Sequence, residues 1–142
     1  MTNDRPGHYL KYALFCRDTE EGPNDELTFK GVIDLYEVPM PKEHPQGNSP
    51  LLGEIDVNLA FCIAGASAGA HNLQISIRAP GISLNTPPAQ TIIWEEGIMF
   101  QRWIKNFRIP VQRVGRHVAV IILDGVPVGE ASFMVRFKEE SK

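Results

Sequence analysis

The chain has 142 residues, of which 43% are hydrophobic and 22% are charged, and its formal net charge is −3. These values predict one globular domain over residues 1–142 with a sizeable core, and they argue against disorder and a coiled coil. Because Lys and Arg are scattered and no apolar run approaches the roughly 20 residues that span a bilayer, neither nucleic acid nor a membrane is expected as a partner.

The first predicted element is a hairpin that follows a polar N-terminus. Residues 1–8 lack the apolar segment of a secretion signal, so we expect them to be flexible, like residues 138–142, and the protein to be cytoplasmic. Tyr9 to Arg17 and Leu27 to Val38 have strand composition, and a Gly-Pro turn signal lies between them. The connection between these strands carries five acids, Asp18, Glu20, Glu21, Asp25 and Glu26. Hard cations such as Ca²⁺ prefer loops rich in carboxylates, but acids at a hairpin tip are usually solvated, so these five are only weak metal candidates.

Two Pro-rich segments divide the middle of the chain. Proline removes a backbone donor, so Val38 to Leu51 and the segment with Pro80, Pro87 and Pro88 are predicted to cross between sheets. Between them, alternating apolar residues predict strands over Glu54 to Ala64 and Asn72 to Ala79. The Gly/Ala/Ser segment from Ala64 to Ala70 is predicted to be a hairpin tip, because it lacks the Gly-Lys-Ser/Thr ending of a phosphate loop.

No arrangement of polar residues predicts a reaction or a cofactor. The four histidines never pair at metal-ligand spacing, so neither zinc nor another cofactor is expected. Glu95 and Glu96 are adjacent, and adjacent residues of a strand point to opposite faces, which argues against paired catalytic carboxylates. Cys16 and Cys62 each lie in an apolar strand and are predicted to be buried and reduced. We therefore expect no enzyme. The histidines are His8, His44, His71 and His117.

The segment from Gly97 to Phe107 permits two structures. Its large apolar residues fall at helical spacing, which indicates a short helix. Its β-branched and aromatic content continues through Val111, however, and we favour a strand that leads into the last hairpin.

The last hairpin is the best-defined element, with strands over Arg116 to Asp124 and Val126 to Phe137. Asp124 and Gly125 fit a type I′ turn, in which both central residues have positive φ. Pairing Leu123 with Val126 across this turn places Val118, Val120, Ile122, Ala131, Phe133, Val135 and Phe137 on the core face. The opposite face is then also apolar, and either other segments of the chain or a second subunit must cover it. The predicted interface residues are Ala119, Ile121, Leu123, Val128 and Met134.

Both ends of the chain resemble a family of small uncharacterised bacterial β-sandwich proteins. The resemblance rests on Val114-Gly-Arg-His-Val-Ala-Val-Ile-Ile-Leu-Asp-Gly-Val-Pro-Val-Gly-Glu130 and on the opening Tyr12-Ala-Leu-Phe-Cys-Arg-Asp18 with Leu27-Thr-Phe-Lys-Gly-Val-Ile-Asp34. It implies a sandwich fold and no activity. The middle of the chain departs from the family pattern.

Together these patterns predict an all-β, antiparallel two-sheet sandwich of about seven or eight strands, either Greek-key and immunoglobulin-like or jelly-roll-like. The favoured function is a non-enzymatic accessory module that self-associates as a homodimer or docks a protein partner through the outer face of the last hairpin. The alternative is a domain that binds a carbohydrate or Ca²⁺ with loops at one end, using Trp94, Trp103 and the acidic loop.

Overall fold

The computed structural model describes residues 7–40 and 51–139, which form two β-sheets. Residues 1–6, 41–50 and 140–142 lie outside this description. They include most of the two ends that we expect to be flexible, the centre of the first Pro-rich segment and His44. Within the described residues there is no α-helix, and therefore no helix that is long and apolar enough to cross a membrane. Their nine strands confirm the all-β class and exceed the predicted number. The strands are β1 (Tyr9–Glu21), β2 (Leu27–Val32), β3 (Leu35–Val38), β4 (Gly53–Ala64), β5 (Gly69–Arg78), β6 (Gln90–Trp94), β7 (Phe100–Val111), β8 (Gly115–Leu123) and β9 (Val126–Phe137).

The first sheet has the order β2-β1-β4-β7, and the second has the order β3-β9-β8-β5-β6. All paired strands are antiparallel except β3 and β9, which run parallel. The mostly antiparallel arrangement predicted from the sequence is thus observed, with this one parallel pair. The single strand predicted over Leu27 to Val38 divides at Ile33 and Asp34, because β2 belongs to the first sheet and β3 to the second.

The core lies between the two sheets. On β4 the alternation read from the sequence is confirmed, since Ile55, Val57, Leu59, Phe61 and Ile63 are all at most 3% exposed. Phe15 of β1 meets Phe133 of β9 edge to face, with ring centroids 5.0 Å apart, which joins the two sheets directly. This inner layer holds the fold together, because burying each large side chain contributes about 1.5 to 3 kcal/mol.

Two connections differ from the prediction. The segment from Ala64 to Ala70 is not a hairpin tip, because it leads from β4 in one sheet to β5 in the other. It passes Gly7 so closely that a Cβ on Gly65 would lie 2.3 Å from the Gly7 carbonyl oxygen, which only glycine permits. The segment with Pro80, Pro87 and Pro88 does not cross between sheets, since it joins β5 to its neighbour β6. The ambiguous segment after Gly97 is a strand, as favoured.

A β-bulge in the last hairpin overturns the predicted register. The turn is as predicted, because Asp124 and Gly125 have φ values of 52° and 79°. Beyond Ile122 and Pro127, however, Ile121 pairs with Gly129, so Val128 is an extra residue on β9. As a result, the β8 residues that were predicted to face the core face outward, and those that were predicted to face outward face the core.

The predicted interface is therefore wrong for β8. Ala119, Ile121 and Leu123 are 0% exposed and belong to the core, while Met134 is 44% exposed and Val128 is half-buried. On β9, which carries the bulge, the predicted core residues Ala131, Phe133 and Val135 are indeed buried. No contiguous apolar face made of the five predicted residues exists on the outside of this hairpin.

The tip of the β1–β2 hairpin contacts the outer face of its own sheet. Arg102 of β7 donates a hydrogen bond to the Asp25 carbonyl oxygen at the tip, and Tyr12 meets Phe29 of β2 with ring centroids 5.5 Å apart. Cys62 and Cys16, at outward positions of β4 and β1, are buried as predicted, and their thiols are free. The outer face of the first sheet is thus partly covered by the chain itself.

Candidate functional site

The acidic residues of the first hairpin do not form a metal site. All five are exposed, and Glu20 pairs with Lys30 at 3.1 Å across the β1–β2 ladder. Nowhere in residues 7–40 and 51–139 do three or more His, Cys, Asp or Glu side chains converge in a way that could hold a metal ion. A hard cation needs several oxygen ligands at once, so Asp18, Glu20, Glu21, Asp25 and Glu26 are not brought together as Ca²⁺ binding requires.

The two tryptophans do not offer a flat, open face for a sugar. Trp94 is 1% exposed, and its indole N–H donates to the Ile98 carbonyl at 2.9 Å. Trp103 is half-buried and stacks on Phe61, with ring centroids 5.2 Å apart. Both therefore act in packing. Glu95 and Glu96 lie exposed in the turn that follows β6.

His71 and Asp124 form a polar lock between two connections of the fold. His71 Nδ1 lies 2.6 Å from Asp124 Oδ2, and His71 Nε2 lies 2.7 Å from the Ser67 carbonyl oxygen. Both neighbours accept hydrogen bonds, so this arrangement favours the cationic imidazole, in which both ring nitrogens carry a proton. The bond to Asp124 is the main reason that the pKa of His71 is raised, and the same bond lowers the pKa of Asp124. Because both ring nitrogens of His71 are engaged in these hydrogen bonds, its role is structural, and no nitrogen is free to act as a general base.

His71→Gln is expected to destabilise the protein at acidic and neutral pH more than at alkaline pH. Because the folded pKa of His71 lies above its ordinary value of 6.5, its stabilisation is complete below pH 6.5 and is lost as the pH rises through the folded pKa. The effect should be about 1 kcal/mol at most, because the Asp124 side chain is 42% exposed and solvent screens the pair. Urea unfolding of both proteins at about pH 6 and about pH 9 measures this difference.

Asp124→Asn is the matched control for the lock, because it removes the same ion pair from the other side. It should reduce the pH dependence to the same extent as His71→Gln. Equal losses of stability at both pH values would show that His71 is not a cation in the folded protein.

A cluster of different chemistry lies on the outer face of the first sheet, formed by Lys11, Phe100 and Arg102 and here called the Phe100 cluster. Residues of β7 alternate between the core and the outside, and Phe100 and Arg102 share the outer side opposite Ala64 and Cys62 of β4. Lys11 reaches the same place from β1, at the register shift between Leu10 and Tyr12. Sheet order alone brings these residues together, since β1 and β7 both flank β4.

Two positive charges lie over the Phe100 ring. Lys11 Nζ is 5.5 Å and Arg102 Cζ is 5.2 Å from its centroid, and Phe100 remains 41% exposed. Cations at these distances are attracted to the electron-rich face of the ring. β7 itself carries Arg102, Lys105 and Arg108 and no acid, although Arg108 lies 4.0 Å from Asp56 of β4, so the strand is rich in cations in a chain of negative net charge.

A cavity of about 220 Å³ opens beside this ring. It is lined by Tyr12 and Cys62, by Asp25, Leu27 and Phe29 of the β1–β2 hairpin, and by the Phe100 cluster. Burial raises the pKa values of Tyr12 and Cys62 above their ordinary range, so the phenol and the thiol are both protonated at neutral pH. The lining therefore combines aromatic rings, two neutral polar groups, two cations and one acid, Asp25.

Two further clefts lie near β7, and their linings differ in chemistry. One of about 540 Å³ shares Arg102, Phe100 and Asp25 with the Phe100 cavity and is also bordered by Glu21 and Glu26, which disfavour an anion. The other, of about 410 Å³, lies between β7 and the segment with Pro87 and Pro88, and the Lys105 ammonium at its edge donates to Gln90 at 2.9 Å. Each of the three linings contains an aromatic ring and a cation, and that of the Phe100 cavity holds three aromatic residues and two cations beside one acid.

Neither a family model nor a curated protein matches the chain. A solved structure with a similar fold is the Pseudomonas fluorescens alkylpurine DNA glycosylase AlkC bound to DNA containing an abasic site analog. The likeness has a TM-score of 0.51 and 12% sequence identity, and it covers 94% of this chain and 31% of that chain. This chain thus corresponds to about a third of the length of that protein, and at this identity the likeness concerns the fold.

That neighbour corrects two sequence-based predictions. Nucleic acid was excluded as a partner on net charge, yet this fold occurs in a protein that is bound to DNA. Net charge reports the whole surface, whereas binding depends on local charge such as that along β7. The predicted function, a module that self-associates or docks a partner through the outer face of the last hairpin, is also contradicted, and three of its five contact residues lie in the core.

Proposed function

We propose that this chain is a DNA-binding domain that contacts the nucleic acid with the Phe100 cluster. The observation that carries the proposal is an exposed aromatic ring with two cations, Lys11 and Arg102, against it, on a strand that carries three cations and no acid. Aromatic rings stack on bases and cations neutralise phosphates, and their combination is characteristic of nucleic-acid surfaces. The fold likeness to a DNA-bound glycosylase supports this choice over other anionic polymers.

The cluster suits this role because, among the described residues, its cations are not paired with carboxylates. Arg102 donates to a backbone carbonyl, that of Asp25, and Lys11 lies against the Phe100 ring. By contrast, Arg136 is paired with Glu37 at 3.2 Å and Arg116 with Glu130 on the other sheet. The Arg102 guanidinium has further N–H donors besides the one bonded to Asp25, and Lys11 gives up only a ring contact, so both can approach a phosphate without leaving a carboxylate unpaired.

The proposal includes the finer fold type, an immunoglobulin-like arrangement. If β4 corresponds to strand B of such a domain, then β5, β7, β8 and β9 correspond to strands C, E, F and G. In this chain β4 and β7 pair in one sheet, while β5, β8 and β9 lie in the other. This is the division of strands B and E from strands C, F and G in immunoglobulin domains. We also propose a binding role without catalysis and a cytoplasmic location, which the free thiols of Cys16 and Cys62 support.

Fluorescence anisotropy with a labelled oligonucleotide tests DNA binding. We expect a dissociation constant in the range of about 10⁻⁶ to 10⁻⁴ M at physiological salt, as for sequence-independent contacts, with affinity rising at lower salt. Arg102→Gln and Lys11→Gln should each weaken binding and reduce the slope of log K against log[salt] by about 0.7 to 0.9, because each removes one phosphate contact.

Arg136→Gln is the matched control, since it makes the same charge change on β9 of the second sheet. It should leave the affinity and the salt slope unchanged. Absence of binding at low salt, or an equal loss in the Arg136 variant and the Arg102 variant, would refute the proposal. Circular dichroism of each variant establishes that the fold is retained.

A further inference from the structure

We infer that the cavity beside Phe100 takes one unpaired nucleobase, so that the domain prefers single-stranded or locally unpaired DNA to a continuous duplex. The inference rests on the proposed DNA binding and specifies the substrate class of the same site. It follows from three features of the cavity: its size, the chemistry of its walls and the position of the β1–β2 hairpin tip.

The size of the cavity suits a single base. Its volume of about 220 Å³ equals that of roughly seven water molecules in the liquid. One flat base ring fits such a space, which is open to solvent. A base reaches the space only after it leaves the helical stack, as in enzymes that extrude a nucleotide into a pocket.

The residues that line the cavity can replace the stacking and hydrogen bonds that a base loses when it leaves the helix. Phe100 and Phe29 both line the cavity and offer aromatic contacts, and stacking on such rings is worth about 1 to 3 kcal/mol per base. The Tyr12 phenol and the Cys62 thiol are protonated and hydrogen-bond to each other, which leaves one donor proton for a base edge, and base edges are rich in acceptors. Lys11 and Arg102 also line the cavity, and we assign them to the phosphates that flank the bound nucleotide.

The hairpin tip restricts the approach of a duplex. The bond from Arg102 to the Asp25 carbonyl fixes the tip beside the cavity mouth, and Glu21, Asp25 and Glu26 surround the adjoining cleft. These carboxylates repel the second phosphate backbone that a duplex brings, whereas a single strand carries only the one that follows the cations. Duplex DNA also has to unpair a base to use the cavity, at a cost of a few kcal/mol.

Anisotropy with three probes of identical sequence tests the inference: a single strand, its continuous duplex and the duplex with one bulged, unpaired base. We expect the single strand and the bulged duplex to bind at least about tenfold more tightly than the continuous duplex, within the range that one stacked base supplies. Phe100→Leu should remove most of this preference while it leaves the salt slope unchanged. Met99→Ala is the matched control, because Met99 is adjacent and 79% exposed but does not line the cavity.

A 2-aminopurine at the bulged position gives a second readout. Its fluorescence should fall on binding to the wild type and change little with Phe100→Leu, because stacking on the ring is lost. Equal affinity for all three probes, with Arg102→Gln weakening each of them, would overturn the unpaired-base inference and leave DNA binding intact. If none of the probes binds, the proposed function itself fails.

Discussion

Ile121→Glu is expected to abolish the native fold. Ile121 is 0% exposed in the middle of the second sheet, where it pairs with Gly129 on one side and Ile75 on the other. Truncating such a side chain to alanine costs about 2 to 5 kcal/mol, and a buried, unpaired carboxylate adds several more. The total matches or exceeds the stability of about 5 to 15 kcal/mol that a domain of this kind has, so urea and thermal unfolding should show no cooperative transition.

Met134→Glu is the matched control on the same hairpin. Met134 is 44% exposed and lies opposite Arg116, so a glutamate there faces solvent beside a cation and should change stability by no more than about 0.5 kcal/mol. The pair of variants distinguishes the two registers of the hairpin. If Ile121→Glu folds with a wild-type urea midpoint, the bulge is absent and the bulge-free register is correct.

The bulge shows why the faces of β8 were not predictable while those of β4 were. On β4, polar residues such as Asp56 and Asn58 mark the outer side, whereas every residue of β8 from Val118 to Leu123 is apolar. With no polar residue to mark a face, only the register assigns the sides, and one extra residue reverses them. Next to the bulge, Gly129 lies close to β1, since a Cβ on it would be 2.4 Å from the Leu10 side chain.

The Phe100 cluster could not be predicted from the sequence, and the reason differs from that for β8. Lys11 and Phe100 are 89 positions apart in the chain, and the strand order that places β1 and β7 beside β4 does not follow from composition or periodicity. One signal was present. The outward positions of β4 near this site are Ala60 and Cys62, which are small and not charged, and this is the pattern of a face that the chain covers. That pattern predicts a cover such as the β1–β2 hairpin, although it does not identify which segment provides it.

His117→Phe is expected to make the protein more resistant to acid. His117 is 0% exposed, its ring stacks on Phe133 at 5.1 Å, and its Nε2 has no hydrogen-bond partner among the described residues. Burial lowers the pKa of His117 below its ordinary value of 6.5, so the ring is neutral in the folded protein, and Nδ1–H donates to the Gly115 carbonyl at 3.1 Å. A phenylalanine keeps the stack and removes the unpaired nitrogen.

The sign of the pH effect follows from this lowered pKa. Below pH 6.5 the unfolded chain takes up a proton at His117 that the folded protein does not, so the wild type loses stability as the pH falls towards the folded pKa. His117→Phe should lack this loss, and removing the unpaired buried nitrogen should add about 1 to 3 kcal/mol, less the cost of leaving the Gly115 carbonyl without its donor. Urea unfolding at about pH 5 and about pH 8 measures both effects.

His71→Gln serves as the internal comparison, because its pKa shift has the opposite direction. The ion pair of His71 with Asp124 stabilises the folded protein at low pH, where His71 is protonated. His117, which is neutral when buried, favours the folded protein at higher pH, where the unfolded chain does not take up a proton at this residue. The two variants should therefore change the stability curve in opposite directions between pH 5 and pH 8, within the window that the ordinary imidazole pKa of 6.5 defines. If His117→Phe keeps the acid-induced loss of the wild type, His117 is protonated in the folded protein, and its Nε2 has a partner such as a buried water.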